Sequence, residues 1–474
     1  MKQWVVVISS FLAACNAGTW NGVGERPAMG WNDWNSFGCE VSEDLVLGSA
    51  KKIVDLGLKE LGYEYVVLDD CWSKGRGSDG TLQPDLDKFP NGMKHVADKI
   101  HDMGLKYGMY SSAGTQTCGG YEGSLDHEEE DAKTFAEWGV DYLKYDNCHN
   151  QGLTRSPKLS YDRFKSMSDA LNKTGRPIYY ALCNWGEDLV WDWAQDIANA
   201  WRISGDIGDV FNKYFVHCPC DGNENRYCTK TGFQCSVMNI MDKAAYTEFR
   251  GSLKGSGWND LDMLEVGNGK MSDEAYKTHF SMWAILKSNF LLGNDIRNMT
   301  EDTFSIITNP AIIALNQDMN AAATRVWYYG DTTDSIGLWV GTSSNGDQLM
   351  ALVNGGNEPR KMNATLEDVL FYVSSEVEES ARKTAFDIYD LWGNRMDNST
   401  AEAILSGDAD DDFKAKHLYN ATETSYKDGL KKNDPKLLGK KIGSVEPMGT
   451  ITADVPAQGI AIYRLKPQSG KSEL

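Results

Sequence analysis

The chain is poor in basic residues and in histidine. It has 47 lysines and arginines against 68 aspartates and glutamates in 474 residues, which gives a formal net charge of −21. Nucleic acid and anionic membrane surfaces would repel such a protein, so we expect neither as a partner. The seven histidines show no clustered metal-ligand spacing, and no glycine-rich loop is built to cradle a phosphate. We therefore predict no metal and no cofactor.

Long apolar runs are missing beyond the first 18 residues. A membrane-spanning helix needs about 20 consecutive apolar residues, so the sequence predicts no span. Residues 1–18, MKQWVVVISSFLAACNAG, combine an early lysine, an apolar stretch and small residues near the end, which is typical of a secretory signal peptide. The C-terminal KSEL has serine where an ER-retention signal needs aspartate. We expect secretion to the extracellular or cell-wall space.

Five N-x-S/T sequons agree with a secretory route. A single sequon arises easily by chance, but five beside a signal peptide predict glycans on the protein surface. They lie at Asn172, Asn298, Asn363, Asn398 and Asn420.

The cysteines point to disulfides, because an exported protein meets an oxidising environment. Cys39 and Cys71 follow neighbouring strand-like runs, as do Cys118 and Cys148, so geometry favours these two pairs. Cys183 is left over, and we expect a free thiol lining a pocket. The C-x-C spacing and the oxidising environment outside the cell favour two disulfides over a zinc site for the remaining mature cysteines. These crowd one polar loop and are Cys218, Cys220, Cys228 and Cys235.

Three apolar runs end in charged side chains. In YLKYDNC (142–148), Lys144 and Asp146 project to the same side of a strand, and Tyr145 projects to the other. A buried strand carries such a pair only where its end opens into a site. The same pattern recurs in two other runs. Asp69 and Asp70 follow the apolar residues of YVVLDDCW, and Arg202 and Asp206 lie in WRISGD. Together the three runs predict one polar site at the carboxyl ends of strands.

The same segments carry a family resemblance that covers nearly the whole mature chain. The motifs are GWNDWN (30–35), LDDCW (68–72), YGMYSSAG (107–114), YLKYDNC (142–148), ALCNWG (181–186), WRISGD (201–206) and WNDLDMLEVG (258–267). They come in the order seen in secreted α-galactosidases, the melibiases, and the chain resembles the yeast enzymes most. The same family also contains α-N-acetylgalactosaminidases.

The first half of the chain predicts a (β/α)8 TIM barrel over residues 19–326. Eight short apolar runs alternate with amphipathic stretches between Ala28 and Asn294. The seventh run, which contains two acids, is placed only through the resemblance. The clearest helix should begin with Asp126 as its cap and end at Gly139.

The second half, residues 327–474, predicts an antiparallel β-sandwich. Segments such as SIGLWV, QLMALVN and GIAIYRL are separated by turn residues and show no regular helical spacing. We read the acidic stretch 407–412 as a solvated loop. The expected role of this domain is to pack against the barrel and stabilise it.

The resemblance assigns the chemistry to two carboxyl groups. Asp146 matches the nucleophile, and we expect the Lys144 ammonium to keep it ionised. Asp206 matches the acid/base, with Arg202 positioning it. The family cleaves α-galactosides such as melibiose and raffinose with retention, through a covalent galactosyl-enzyme, which requires carboxyls about 5 Å apart.

The resemblance also implies which residues bind the sugar. Asp69, Asp70 and Lys144 should read its hydroxyls by charged hydrogen bonds, and Arg202 should contact the oxygen on C2. Trp34 and Tyr110 should cover its apolar face, although core positions remain the alternative.

Further binding residues are placed on two of the motifs. Cys183 and Trp185 lie in ALCNWG, where the Trp185 indole should fill the space that an N-acetyl group at C2 would need. Asp262 either lines the pocket or supports it, and Asp260 is structural. The resemblance pairs the loop cysteines as Cys218–Cys235 and Cys220–Cys228.

Three other functions stay open at this stage. The chain could be an α-N-acetylgalactosaminidase or, on the same scaffold, a catalytically silent sugar-binding protein. A phosphate- or metal-dependent barrel enzyme is a third, weaker alternative. The sequence leaves homo-oligomer formation open.

Overall fold

The computed structural model describes residues 21–215, 218, 235–251, 257–318, 320, 322–370 and 382–468. The predicted signal peptide and the predicted Cys220–Cys228 pair lie outside the described residues. In the part of the chain that the structure describes, no helix is long and apolar enough to cross a membrane.

Eight parallel strands form the first sheet, one from each predicted apolar run, which confirms the predicted strands. The eight are β1 (Met29–Asn32), β2 (Tyr65–Val67), β5 (Lys106–Ser112), β6 (Tyr142–Asp146), β7 (Tyr179–Cys183), β8 (Ala200–Arg202), β9 (Trp258–Asp260) and β10 (Phe290–Leu292). Their order in the sheet is β10-β1-β2-β5-β6-β7-β8-β9, and a hairpin of β3 (Ser73–Arg76) and β4 (Leu82–Pro84) follows β2.

The barrel closes between β9 and β10 just beyond the last residue of β9. Leu264 forms a parallel bridge with Leu292, and its N–H donates to the Leu291 carbonyl at 2.8 Å. The strand β9 has only three residues, since Asp260 ends it and Asp262 has a positive φ of 78°. This confirms the weak seventh strand and explains why its own pattern is faint.

Helices connect the strands and surround the barrel. The helix α4 ends at Gly139 in the left-handed conformation, as predicted, but its N-cap is His127 and not Asp126, whose φ is +68°. A left-handed residue cannot take the extended backbone of a usual N-cap. The helices are α1 (Trp34–Phe37), α2 (Glu43–Asp55), α3 (Gly92–Asp102), α4 (Glu128–Trp138), α5 (Pro157–Thr174), α6 (Val237–Gly251), α7 (Asp273–Ile285), α8 (Glu301–Ile307) and α9 (Pro310–Gln317).

Aromatic side chains at the strand beginnings form the floor of the barrel. Tyr142 stacks on Tyr179 with ring centroids 5.0 Å apart, and Tyr65 meets Tyr142 edge-on at 5.6 Å. Tyr142 begins β6 and Asp146 ends it, so the floor lies about 13 Å below the carboxyl end of the strand. The opposite end of the barrel is therefore free to hold a polar site.

The C-terminal strands form two facing antiparallel layers, which confirms the β-sandwich. The strands are β11 (Thr324–Asp331), β12 (Asp334–Thr342), β13 (Gln348–Asn354), β14 (Arg360–Thr365), β15 (Phe386–Asp390), β16 (Lys440–Val445), β17 (Thr450–Val455) and β18 (Ile460–Pro467). A six-stranded sheet has the order β11-β12-β13-β18-β15-β16, and β14 pairs with β17. Side chains such as Leu338, Leu352, Met362 and Ile451 are buried between the layers.

This half also contains short helices, which the sequence analysis missed. The acidic stretch 407–412 is a mostly exposed loop up to Asp410, as predicted, but its last two residues begin a helix that the Asp410 carboxylate caps by accepting from the Phe413 N–H. These helices contact the barrel, where Tyr426 donates to the Leu61 carbonyl at 2.9 Å. They are α10 (Leu366–Leu370), α11 (Asn398–Leu405), α12 (Asp411–His417), α13 (Tyr426–Lys431) and α14 (Pro435–Leu438).

Among the described residues, three predicted disulfides are formed and one further cysteine is free. The pairs are Cys39–Cys71, Cys118–Cys148 and Cys218–Cys235, and Cys183 is unpaired and buried. Of the sequon asparagines, Asn420 is half-buried, and the others are exposed: Asn172, Asn298, Asn363 and Asn398.

Candidate active site

Strand β6 brings Lys144 and Asp146 to the carboxyl end of the barrel. The Lys144 ammonium lies 2.7 Å from Asp69 Oδ2, just after β2 and two strands away, and 5.4 Å from the ring centre of Tyr110 on the intervening β5. Asp69 Oδ2 also accepts from the Asn32 carboxamide at 2.8 Å. The lysine is thus held over the strand ends by a carboxylate from another strand.

Asp146 is buried and has two protein donors. The Tyr110 hydroxyl donates to Oδ2 at 2.8 Å, and the Asn147 N–H donates to Oδ1 at 2.8 Å. Tyr110 therefore contacts this carboxylate directly through its hydroxyl. Both donors stabilise the ionised carboxylate and fix its orientation.

Burial affects the pKa of Asp146 more than Lys144 does. Burial raises the pKa of Asp146 to about 6, although the charge of Lys144 acts to lower it, in the predicted direction. The negative charge of Asp206 raises the same pKa further, so the two carboxyl groups lie within electrostatic reach of each other. Desolvation is the largest effect, and the ammonium is already paired with Asp69. A carboxyl group with this pKa is mostly ionised at neutral pH, so the predicted ionised state of Asp146 is not contradicted.

Arg202 joins two acids at the end of β8. One guanidinium nitrogen, Nη2, lies 3.0 Å from Asp206 Oδ1 and 2.9 Å from Asp262 Oδ2. The arginine side chain is only 4% exposed, whereas that of Asp206 is 50% exposed. Asp206 is therefore oriented from below and open to a ligand from above.

Asp262 links Arg202 to the backbone of the loops after β8 and β9. Its Oδ2 also accepts from the Ile207 N–H at 2.7 Å, and its Oδ1 accepts from the Met263 N–H at 2.9 Å. Burial raises the pKa of Asp262 to about 6, against the charge of Arg202. Asp262 lines the cleft, but its oxygens are occupied by protein donors. Asp260 lies deeper, where it accepts from Asn289 at 3.2 Å.

The two acids after β2 are buried and satisfied by the backbone. Asp69 Oδ1 accepts from the Asp70 N–H at 2.9 Å, and Asp70 accepts from the N–H groups of Cys71 and Gly119 at 2.7 Å each. Cys71 and the neighbour of Gly119, Cys118, are both in disulfides. The disulfides thus tie together the loops that present these carboxylates.

The ALCNWG segment lies beside the nucleophile strand. Cys183 is in register with Asp146 on the adjacent strand, and its sulfur accepts a weak hydrogen bond from Arg202 at 3.5 Å. Burial raises the pKa of the Cys183 thiol. Trp185 is buried in the turn after β7 with a φ of +58°, which is rare for a large side chain.

A cleft of about 800 Å³ opens above these strand ends. Trp34, at the start of α1, forms part of its wall, as the sequence predicts for a pocket residue. Lys144, Asp206 and Asp262 line it as well, and so do Phe37, Asp209, Glu265, Asn268, Lys270, Asp295 and Asn298.

Several polar residues of the site were not recognised from the sequence. Asp33 is fully buried and accepts from the Asp69 N–H at 2.8 Å, and Asn32 contacts the Asp69 carboxylate. Both belong to the quoted GWNDWN motif, but nothing in the local sequence shows that these two polar residues are buried. Glu265 accepts from Asn35 at 2.7 Å, and burial raises its pKa to about 8.

One group among the described residues has atoms close enough together to suggest a metal site. Cys118, Asp146 and Cys148 have potential ligand atoms within 4.8 Å of one another. Both sulfurs belong to the Cys118–Cys148 disulfide, so neither can act as a thiolate ligand. This group is therefore not a metal site.

Comparisons with known proteins agree with this arrangement. The family model described as Alpha galactosidase A matches residues 26–318, and the model of the alpha galactosidase C-terminal beta sandwich domain matches residues 333–409. Alpha-galactosidase 1 of Saccharomyces cerevisiae is 53% identical over 458 residues, which is 95% of this chain and 96% of that protein.

Solved structures extend the likeness to the fold. An α-galactosidase of S. cerevisiae, also solved with raffinose, has a TM-score of 0.91 and 52% identity over 95% of this chain and all of that chain. The α-galactosidase I of Mortierella vinacea has a TM-score of 0.79 and 44% identity, again over 95% of this chain and all of that one. Because the matches span both domains and the whole site, the chain belongs to the α-galactosidase family.

Proposed function

We propose that this family member removes terminal α-D-galactose from small α-galactosides such as melibiose and raffinose, with retention of configuration. The observation that carries the proposal is the contrast between two carboxyl groups at the carboxyl end of the barrel. Asp146 is buried and held by Tyr110, whereas Asp206 is half-exposed and held by Arg202. A fixed and sheltered carboxylate suits attack on the anomeric carbon, and a solvent-open carboxyl group can exchange a proton with the leaving oxygen and then with water.

The first half-reaction assigns one step to each carboxyl group. Ionised Asp146 attacks the anomeric carbon, the bond to the leaving oxygen breaks, and Asp206 transfers its proton to that oxygen. Tyr110 keeps one Asp146 oxygen in place while the other forms the new bond. The product of this step is a covalent galactosyl-enzyme and a free leaving alcohol.

The second half-reaction uses the same groups in reverse. Asp206, now ionised, takes a proton from water, and the water oxygen attacks the anomeric carbon as the bond to Asp146 breaks. Arg202 stays paired with Asp262 throughout, so it holds Asp206 in position in both protonation states. Two displacements on opposite faces return the α-configuration.

Recognition of the sugar falls to the charged groups beside the nucleophile. Asp69, Asp70 and Lys144 lie at the carboxyl ends of two barrel strands separated by β5 and can exchange charged hydrogen bonds with the galactose hydroxyls. Each such bond contributes about 1.5–3 kcal/mol, enough to select one epimer. Export of the protein is part of the proposal and is supported by its disulfides and exposed sequons.

A substrate panel tests the function. The protein should hydrolyse p-nitrophenyl α-galactoside and raffinose, with or without a chelator, and an NMR time course should show α-galactose before its β-anomer. Release of β-galactose first would exclude retention. Loss of activity with chelator would indicate a metal enzyme, and absence of turnover would leave a sugar-binding protein.

Trp185 should set the preference for galactose over N-acetylgalactosamine. Its buried indole occupies the turn after β7, next to the strand that carries Cys183, where a substituent on C2 is expected to lie. Overpacking a rigid pocket costs about 1–3 kcal/mol, so kcat/KM should be on the order of tenfold or more higher for the aryl α-galactoside than for its N-acetyl analogue.

The matching variant is Trp185→Ala, which should gain activity toward the N-acetyl substrate. Trp193, a neighbouring tryptophan that donates to the Asp188 carbonyl, provides the control Trp193→Phe. Equal kcat/KM for both aryl glycosides, or no gain in Trp185→Ala, would contradict the assignment.

A further inference from the structure

A sequon lies on the rim of the catalytic cleft. The loop from Gly293 to Thr300 follows β10, the eighth barrel strand, and leads into α8. Asn298, Met299 and Thr300 within it form the sequence N-M-T. Asn298 is exposed and lines the same cleft as Asp206.

The protein holds this loop in place from below. The buried Trp31 indole donates to the Asn294 carbonyl at 2.9 Å, and the Asn298 N–H donates to the Asp295 carbonyl at 3.1 Å. Arg297 forms a two-point ion pair with Asp295 and lies 5.1 Å from the ring centre of Phe37, which also lines the cleft. A group attached to Asn298 would therefore start from a fixed point.

The acceptor side chain is available for modification. Within the described part of the chain, the Asn298 carboxamide makes no hydrogen bond, so its Nδ2 is open to solvent. Thr300 supplies the hydroxyl of the sequon and also caps α8, accepting from the Thr303 N–H at 3.2 Å. The two roles of Thr300 can be separated by substitution, because aspartate caps a helix but does not complete a sequon.

We propose that Asn298 carries an N-linked glycan that narrows the mouth of the cleft and restricts the enzyme to small α-galactosides. The inference rests on the proposed function. In the modification, Nδ2 forms a bond to C1 of the first sugar of a lipid diphosphate-linked oligosaccharide. The bond between C1 and the diphosphate oxygen breaks, and the amide gives up one proton.

The position of Asp206 explains the effect on substrate size. The acid must lie beside the leaving oxygen, so the leaving group extends from Asp206 into the 800 Å³ cleft that Asn298 borders. A free mono- or disaccharide leaving group fits within the cleft. A polymer carrying galactose as side chains must cross the rim on both sides, and there it meets the glycan.

Asn172 offers a control on the opposite face of the barrel. It lies in the last turn of α5, which runs from the carboxyl end of β6 back to the beginning of β7. A glycan there is exposed to solvent but remote from the cleft.

The experiment compares four secreted forms of the full chain: wild type, Thr300→Asp, Thr300→Ser and Asn172→Gln. Glycopeptide mapping should find a glycan on Asn298 in wild type and Thr300→Ser and none in Thr300→Asp. The ratio of kcat/KM for a galactomannan to kcat/KM for p-nitrophenyl α-galactoside should rise roughly fivefold or more in Thr300→Asp, about 1 kcal/mol. The other two variants should keep the wild-type ratio.

The outcomes distinguish failure of the glycan proposal from failure of the proposed function. An unmodified Asn298 in the secreted wild type, an unchanged ratio in Thr300→Asp, or an equal rise in Asn172→Gln would overturn the inference while leaving the function intact. A wild-type protein that does not hydrolyse the small aryl substrate would overturn the proposed function, and the inference with it.

Discussion

Replacing Asp146 with alanine should lower kcat/KM for aryl and natural α-galactosides by at least about 10⁴-fold, the scale of losing a covalent nucleophile. The carboxylate ends β6, is oriented by Tyr110, and is assigned the attack on the anomeric carbon. Asp69 and Asp70, which follow β2 two strands away, are paired with Lys144 and with backbone donors. Neither can replace the missing group.

Two measurements separate lost chemistry from lost structure. Asp146→Asn keeps the shape of the side chain and removes a buried charge, so it should unfold at the same temperature as wild type or higher while remaining inactive. In Asp146→Ala, azide can enter the vacated space, and it should restore turnover with β-galactosyl azide as product. Near-normal hydrolysis by either variant, or an α-azide from Asp146→Ala, would show that another residue is the nucleophile.

The barrel could be predicted because its strands are short apolar runs separated by helical patterns. Strand β9 is the instructive exception, since Asp260 and Asp262 interrupt its pattern and closure depends on Leu264 beyond its end. The helices of the second half were missed for a different reason. Each is at most eight residues long, and a segment such as Asp411–His417 depends on its Asp410 cap and shows little apolar periodicity.

The sequence could predict which strand ends carry the site but not the contacts that side chains make between strands. The alternation of side-chain direction along β6 correctly placed Lys144 and Asp146 on the same side, because this alternation depends on one strand alone. The partner of Lys144 is Asp69 on another strand, and that pairing depends on the order and register of the sheet. The elevated pKa of Asp146 depends on burial, which no local pattern reports. Asp33 and Asn32 were overlooked for the same reason.

Replacing Asp206 with alanine should separate substrates by their leaving groups. For melibiose or raffinose, whose leaving oxygen must be protonated, kcat/KM should fall about 10³-fold, within the usual range for a general acid. For dinitrophenyl α-galactoside the leaving group departs unprotonated, so kcat/KM should fall much less. The second half-reaction still lacks its base, so the galactosyl-enzyme should accumulate as a burst. Azide should accelerate its breakdown and yield α-galactosyl azide.

The same variant should shift the pH dependence of the first half-reaction. Asp146 reacts in its ionised form, so with the activated substrate kcat/KM of the wild type should fall as the pH drops through about 6, the pKa of Asp146. The negative charge of Asp206 helps to raise this pKa, and its removal favours the ionised form. The acid limb should therefore move to lower pH in Asp206→Ala. Arg202 keeps its 2.9 Å contact with Asp262, so the corner of the site stays folded. An unmoved acid limb would mean that Asp206 does not interact with the nucleophile. An equal loss for good and poor leaving groups would mean that Asp206 does not supply the proton.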